Sequence, residues 1–319
     1  MRSFFHLVVL LLLAWGCNRT SQSPIADAPI AEATGSFAER PKFILDTDTA
    51  NEIDDLYAIA RLLPEETINL LGITSAQWFH HYSGDSTVYQ SQRLNEEILA
   101  LVGHKDLPHP IGADRIMGDP WGGYEPRPSP ATDFIIKSVK ELPVGEKLVV
   151  MSIGAATNLA SAIALDTTIA TRIVAYALGF QYNHKLAYWN KDEFNIRRDL
   201  NAANYLLNQK DLELHIMPTS VAIEYTWQRA DVFPRLSTAG DMGQYLRDKW
   251  QERFPTSDSW VMWDVALVQA FLHPEMAIER PVTTPPENIR RQVYMYADID
   301  YDAMYADFWS CLENNYAVE

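Results

Sequence analysis

Residues 43–55 read Phe-Ile-Leu-Asp-Thr-Asp-Thr-Ala-Asn-Glu-Ile-Asp-Asp, and this stretch constrains the fold more than any other. A short apolar run ends in two alternating aspartates, Asp46 and Asp48. The pair Asp54 and Asp55 follows where an apolar helical pattern opens. The run predicts a buried strand, and the segment from Asp54 onward predicts the start of a helix. Four aspartates and Glu52 therefore fall at one strand-to-helix turn. A helix cap or a solvated turn needs only one of them. Crowded carboxylates resist burial unless a cation or a shared proton offsets their charge. An all-oxygen group of this kind predicts a hard divalent metal.

With 319 residues the chain can bury a large core, as one big α/β domain or two small ones. Its net charge of −16 argues against binding nucleic-acid backbones, which needs clustered Lys and Arg. At the N-terminus Arg2 precedes an apolar stretch, 8–14, and the sequence Ala14-Trp15-Gly16-Cys17. The stretch is too short to span a bilayer and reads as the apolar region of a signal peptide. A small residue directly before Cys17 resembles a bacterial lipobox, after which Cys17 is cleaved and lipidated; an ordinary secretory signal with a coincidental Cys is the alternative. The expected organisation is a lipoprotein-type signal peptide over 1–17, a flexible Ser/Thr/Ala/Pro-rich tether over 18–40 and one folded domain over 41–319. Export follows, with a lipid anchor as the sole membrane attachment. Cys311 is the one other cysteine and is expected as a small core residue without a disulfide partner.

Beyond residue 41, strand-like runs at 42–45, 70–75, 147–153, 172–178, 212–217 and 292–296 alternate with helical patterns at 54–63, 87–102, 132–142, 157–164, 201–207 and 265–272. This alternation predicts an α/β fold, an open, mostly parallel twisted sheet with helices on both faces. Ligands of such sheets bind at the carboxyl ends of the strands, where the acidic cluster lies. The segment 108–130, with its several Pro and Gly and the aromatics Trp121 and Tyr124, reads as a long loop. It is either a rim or lid of a site or a surface excursion.

Four blocks carry a resemblance. Asp46, Asp48, Asp54 and Asp55 are similar to the N-terminal signature of the calcium-dependent, inosine-uridine preferring nucleoside hydrolases. That family has a Pro-Gly turn where this chain carries the longer Thr49-Ala50-Asn51-Glu52-Ile53, so it resembles a divergent branch with an Asn-Glu-x-Asp-Asp motif. The block from Ile153 to Ala160, Glu193-Phe194-Asn195 with Asp199 and Ala202-Ala203, and Trp263-Asp264-Val265-Ala266 follow in the family's order. The resemblance implies the family's Rossmann-like core and hydrolysis of N-glycosidic bonds of nucleosides. It also implies Ca²⁺ held by Asp48, Asp55, Asp264 and the backbone carbonyl of Thr157, and sugar hydroxyls held by Glu193 and Asn195. Asn183 stands where the family has a loop Asn. The family's Asn after the second strand falls near Gln77 or Trp78.

Cleavage of such a bond passes through a transition state resembling an oxocarbenium ion. Hard oxygen ligands completed by waters and sugar hydroxyls suit Ca²⁺, and no His or Cys cluster has zinc spacing. Asp54 beside the metal is the candidate general base, with a helix-dipole role as the alternative. Asp46 is expected to orient its neighbours by hydrogen bonds. Glu193 and Asn195 alternate, so an extended backbone would set them on one side. The family's late block often has His before the metal Asp. Here Trp263 can stack on a purine but cannot donate a useful proton. His80, His81 and His184 are the remaining acids in reach of the sequence argument, and a lone His is also a common packing residue.

Two rivals stand beside this reading. Asp46-Thr47-Asp48 after a strand also resembles the nucleophile motif of haloacid-dehalogenase-type phosphohydrolases, but that motif leaves Asp54–Asp55 and the Glu193 block unexplained. The second is a lipoprotein that binds nucleoside or ribose without turnover, or one that cleaves another N-ribosyl or glycosyl compound. The expected partner is a small-molecule nucleoside, drawn from exported or environmental nucleosides for salvage. The sequence leaves base preference and oligomeric state, a homo-oligomer included, open.

Overall fold

Alternation along the first strand decides the architecture. In β1 (Lys42–Thr47), Phe43 and Leu45 pack into one hydrophobic cluster and Ile44 into another, and none of the three is exposed. A strand buried on both faces belongs in the middle of a sheet covered on both sides. The computed structural model describes residues 40–84 and 86–317. The expected signal peptide 1–17 with Cys17, and the tether up to residue 39, lie outside the described residues.

After β1 come α1 (Asp54–Leu62), β2 (Asn69–Ser75), α2 (Thr87–Leu101), α3 (Pro130–Lys140), β3 (Leu148–Ser152), α4 (Thr157–Leu165), β4 (Ile173–Leu178) and a short hairpin, β5 (Gln181–Asn183) with β6 (Tyr188–Asn190). Then follow α5 (Phe194–Arg198), α6 (Leu200–Leu207), β7 (Glu213–Met217), α7 (Thr219–Ala222), β8 (Thr226–Gln228), α8 (Arg229–Leu236), α9 (Gly240–Arg253) and β9 (Ser259–Val261). The last elements are α10 (Trp263–Leu272), β10 (Ala277–Thr283), β11 (Gln292–Ile299) and α11 (Tyr301–Tyr316). Seven strands form one sheet in the order β10-β11-β7-β4-β3-β1-β2. All neighbours are parallel except the edge pair β10 and β11. The six predicted strands and the predicted helices all occur, and the α/β architecture is the expected one.

One face of the sheet is covered by α1, α2, α9, α10 and α11, the other by α3, α4 and α6. The first face holds an aromatic cluster in which Phe308 meets Trp227 (ring centroids 4.8 Å apart) and Tyr57 (6.0 Å). Helix α3 starts two residues before the expected 132 because Ser129 caps it. The Ser129 hydroxyl accepts from the Thr132 N–H (3.2 Å), the Thr132 hydroxyl accepts from the Ser129 N–H (2.8 Å), and Pro130 takes the first helical position. Strand β10 was not legible because Glu279, Arg280 and Pro281 break its apolar run, a composition that an edge strand tolerates. Cys311 is half-buried on α11 beside the Arg61 carbonyl, so the expected core position is corrected to the margin of the core.

The 108–130 segment carries no helix or strand until Pro130, and it is pinned to its surroundings. Met117 donates its N–H to Asp199 (2.8 Å), and Asn201 donates to the carbonyls of Met117 (2.7 Å) and Asp119 (2.8 Å). This anchoring to α6 makes the segment a fixed rim.

Truncating the aromatic cluster tests this packing. Phe308→Ala removes a fully buried ring and is expected to cost about 3–5 kcal/mol in urea unfolding, with an unchanged denaturant slope. A loss under about 1 kcal/mol would mean that α11 does not seal this face.

Candidate active site

Strand β1 carries its acids to the carboxyl edge of the sheet, between β2 and β3. Asp46 lies inside that edge. It accepts from Thr74 Oγ1 (2.7 Å), Asn158 Nδ2 (2.7 Å) and Ser152 Oγ (3.4 Å), so it ties three strand ends together. Burial pushes its carboxyl up to about 6 against those hydrogen bonds. Asp48, two residues on, packs against Gly154 after β3. A Cβ at 154 would stand 2.5 Å from Asp48 Oδ1, so only glycine fits there.

Helix α1 begins at Asp54 and Asp55, and α10 begins at Trp263 and Asp264. The two helices pack against each other, which brings residues about two hundred positions apart to one point. Carboxylate oxygens of Asp54, Asp55 and Asp264 all lie within 4.8 Å of one another, and all three residues are buried. The Asp264 N–H donates to Asp54 Oδ2 (3.2 Å), and Thr47 Oγ1 donates to Asp55 Oδ1 (2.5 Å). Asp48 Oδ2 and Asp54 Oδ1 are buried with no hydrogen-bond partner. Burial and mutual repulsion hold Asp48, Asp54 and Asp264 well above the usual carboxylate range. Asp55 rises to about 6, mainly through burial, opposed by Thr47 and Arg253. Buried carboxylates with orphaned oxygens are the donor set that a hard divalent cation satisfies.

Two side chains that the sequence reading did not single out for a role shape this centre. Arg253, the last residue of α9, is half-buried and donates to four successive carbonyls of the 49–52 loop. These are Thr49 (3.3 Å), Ala50, Asn51 (2.9 Å) and Glu52 (2.5 Å). Its charge also draws down Asp55 and Glu52. Glu52 lines the same cleft and is raised to about 7 by burial and by Asp55. Nothing local in the sequence pairs Arg253 with a loop two hundred residues away.

Asp48, Asp54, Asp55, Asp264, Glu193, Asn195 and Trp263 all line one cavity of about 290 Å³. Glu193 and Asn195 do not stand in the expected extended stretch. Glu193 caps α5, accepting from the Ile196 N–H (3.1 Å), and Asn195 is in the first turn, so helix geometry aims both at the cleft. Burial raises Glu193, opposed by the N–H groups of Ile196, Asn195, Phe180 and Phe194. Phe180 reaches this position at φ +65, a strained backbone for a non-glycine residue. Asn195 Nδ2 donates to the carbonyls of Ile153 (2.8 Å) and Leu178 (3.3 Å).

Other expected residues lie elsewhere. Thr157 opens α4, so its carbonyl is turned along the helix axis. Its hydroxyl donates to Asp199 (2.7 Å), and Ile153 is the residue of this turn that lines the cleft. Asn183 is exposed in the β5–β6 hairpin and accepts from the N–H groups of Lys185 and Leu186 (3.0 Å each), a turn role away from the cleft. His80 and His81 line a neighbouring cavity, and His184 bonds the Tyr296 carbonyl (3.0 Å). Gln77 is buried, donating to Thr157 Oγ1 (3.3 Å) and to the Arg198 carbonyl (3.1 Å).

The sequence profile described as inosine-uridine preferring nucleoside hydrolase matches residues 43–315. An inosine-guanosine nucleoside hydrolase shares the fold with a TM-score of 0.70 at 17% identity, over 88% of this chain and 100% of the other. A plant nucleoside hydrolase gives 0.68 at 17% identity over 86% and 99%. A purine-preferring ribonucleoside hydrolase from Gardnerella vaginalis gives 0.62 at 20% over 86% and 98%. No curated protein matches the chain in sequence.

The raised carboxylates set the pH response. With a chelator present, the folded state binds more protons than the unfolded one between the ordinary carboxylate range and about pH 7, since Asp55 and Glu52 titrate near 6 and 7. Their contribution to stability therefore falls as pH rises through that window. Scanning calorimetry in chelator is expected to give a lower Tm at pH 8 than at pH 5. A divalent ion that fills the centre, with calcium as the probe at roughly a hundred times its Kd, should restore about 2.7 kcal/mol at pH 8. A Tm indifferent to calcium would contradict the cation reading.

Proposed function

The chain belongs to the inosine-uridine preferring nucleoside hydrolase family, and from that membership we propose that it hydrolyses ribonucleosides to ribose and free base with one bound Ca²⁺. The observation that carries the reading is the convergence of Asp54, Asp55 and Asp264 within 4.8 Å at the carboxyl edge of the sheet. Asp48, Asp55 and Asp264 would hold the ion. When bound, it polarises water and the vicinal sugar hydroxyls.

The protein's own groups do the rest. Asp54, steadied by the Asp264 N–H, takes the proton from the attacking water. Asn195 spends its amide N–H groups on backbone carbonyls, which turns its Oδ1 to accept from a sugar hydroxyl. Glu193 on the same wall accepts from another, and this pair rejects sugars lacking those hydroxyls. Trp263, half-buried beside Asp264, offers a ring face at the edge of the cleft. We further propose that the chain is exported and anchored through a lipid on Cys17, so that its substrates come from outside the cytoplasm.

Two substitutions separate the roles. Asp54→Asn is expected to lower ribose release about 10²–10⁴-fold while calcium still raises Tm. Asp264→Asn is expected to abolish both turnover and the calcium-induced shift. Tight nucleoside binding by the calcium-loaded wild type with no ribose released would favour a binding protein and overturn the hydrolase reading.

A further inference from the structure

One chemical task has no residue in the acidic cleft. On the hydrolase reading, which this inference rests on, the departing base must take up either a proton or negative charge. Carboxylates dominate the cleft, no histidine lines it, and Arg197 is its one cationic side chain among the described residues. Asp54 is already committed to the water.

A second cavity of about 590 Å³ opens beside the first and shares Phe194 and Arg197 with it. Its chemistry is the opposite. Arg197, Arg198, His80 and His81 line it together with the rings of Phe79 and Tyr82. Its one acid, Asp199, is occupied by the N–H groups of Ala202 and Met117 and by the Thr157 hydroxyl. In a chain of net charge −16, two adjacent arginines beside the acidic cleft are a local reversal.

Arg198 is held in place without being neutralised. Its guanidinium lies over the Phe194 ring (4.6 Å), Nη1 donates to the Phe79 carbonyl (3.2 Å), and Nε is buried with no acceptor. Arg197 pairs with Asp192 (3.0 Å), an exposed contact that is weak in water. The sequence of chemistries along the joined cavities is therefore acidic centre, hydroxyl-binding Glu193 and Asn195, then cationic and aromatic annex. A planar nitrogen heterocycle attached to a sugar bound at Glu193 fits that order.

We infer that the annex receives the departing nucleobase and that Arg197 and Arg198 stabilise the negative charge developing on it. As the C1′–N bond breaks, its electron pair passes to the base nitrogen. The water oxygen forms the new bond to C1′, and its proton goes to Asp54. The base leaves as an anion against the guanidiniums and takes a proton from solvent after release, while Asp54 returns its own to solvent. A guanidinium keeps its protons in this pH range, so it acts through charge and hydrogen bonds and not as an acid. Arg198, already fixed in place by the Phe194 ring and the Phe79 carbonyl, needs little reorganisation during the step.

The test compares nucleosides with p-nitrophenyl riboside, whose phenolate leaves without help, in the calcium-loaded full chain. In Arg198→Gln, and in the more exposed Arg197→Gln, the ratio of nucleoside to aryl-riboside kcat/KM is expected to fall about 100-fold. Binding of free adenine or uracil should weaken in parallel. An unchanged ratio overturns the assignment, whether both activities fall together or neither falls. If the wild type cleaves neither substrate yet binds the free base through these arginines, the annex stands and the hydrolase reading fails. If it neither cleaves nor binds, both fail.

Discussion

Charge crowding at the carboxyl edge of the sheet is the constraint that the rest of this structure serves. Asp46, Asp48, Asp54, Asp55 and Asp264 are all buried there. Each would lose hydration without return unless a hydrogen-bond donor or a cation met it. Asp46 is satisfied by neutral donors from β2, β3 and α4, and that satisfaction fixes the strand ends. The other four converge on a space where oxygens remain without partners. Among the described residues Arg253 is the cation set against the 49–52 loop, and it spends most of its donors on holding that loop's carbonyls. The remaining imbalance is what makes the centre a place for a divalent ion.

The same imbalance organises the cleft as a whole. The acids gather at the start of α1 and α10, where helix N-termini favour negative charge. Glu193 and Asn195 extend the polar wall from the first turn of α5. Past Phe194 the sign changes, and Arg197 and Arg198 face an annex ringed by aromatic side chains. A substrate with a hydroxyl-rich end and a heteroaromatic end meets matching chemistry along this path, and the fixed 111–129 rim closes one side of the annex through Ile116 and Pro120.

How much of this was legible in the sequence depends on distance along the chain. The strand β1, the start of α1 and the five-fold repetition of strand and helix were readable because both faces of a central strand must be apolar. Asp48, Asp54, Asp55, Asp264, Glu193, Asn195 and Trp263 reach one cavity because each sits at the start of a helix or the end of a strand, which local sequence marks. Thr157 was misplaced because helix α4 begins on it and turns its carbonyl into the helix. Asn183 was misplaced because a three-residue strand is too short to show its hairpin. Arg253 and the Arg197–Arg198 annex depend on tertiary contacts with no periodic signature. The polar helices α8 and α9 and the mixed edge strand β10 escaped for the same reason.

The most direct test of the central claim is a crystal structure grown in excess calcium. The account predicts one ion per chain, bound by carboxylate oxygens from Asp48 and Asp55 at one end of the sequence and from Asp264 at the other. A well-ordered cleft without an ion, or an ion held without Asp264, would contradict it.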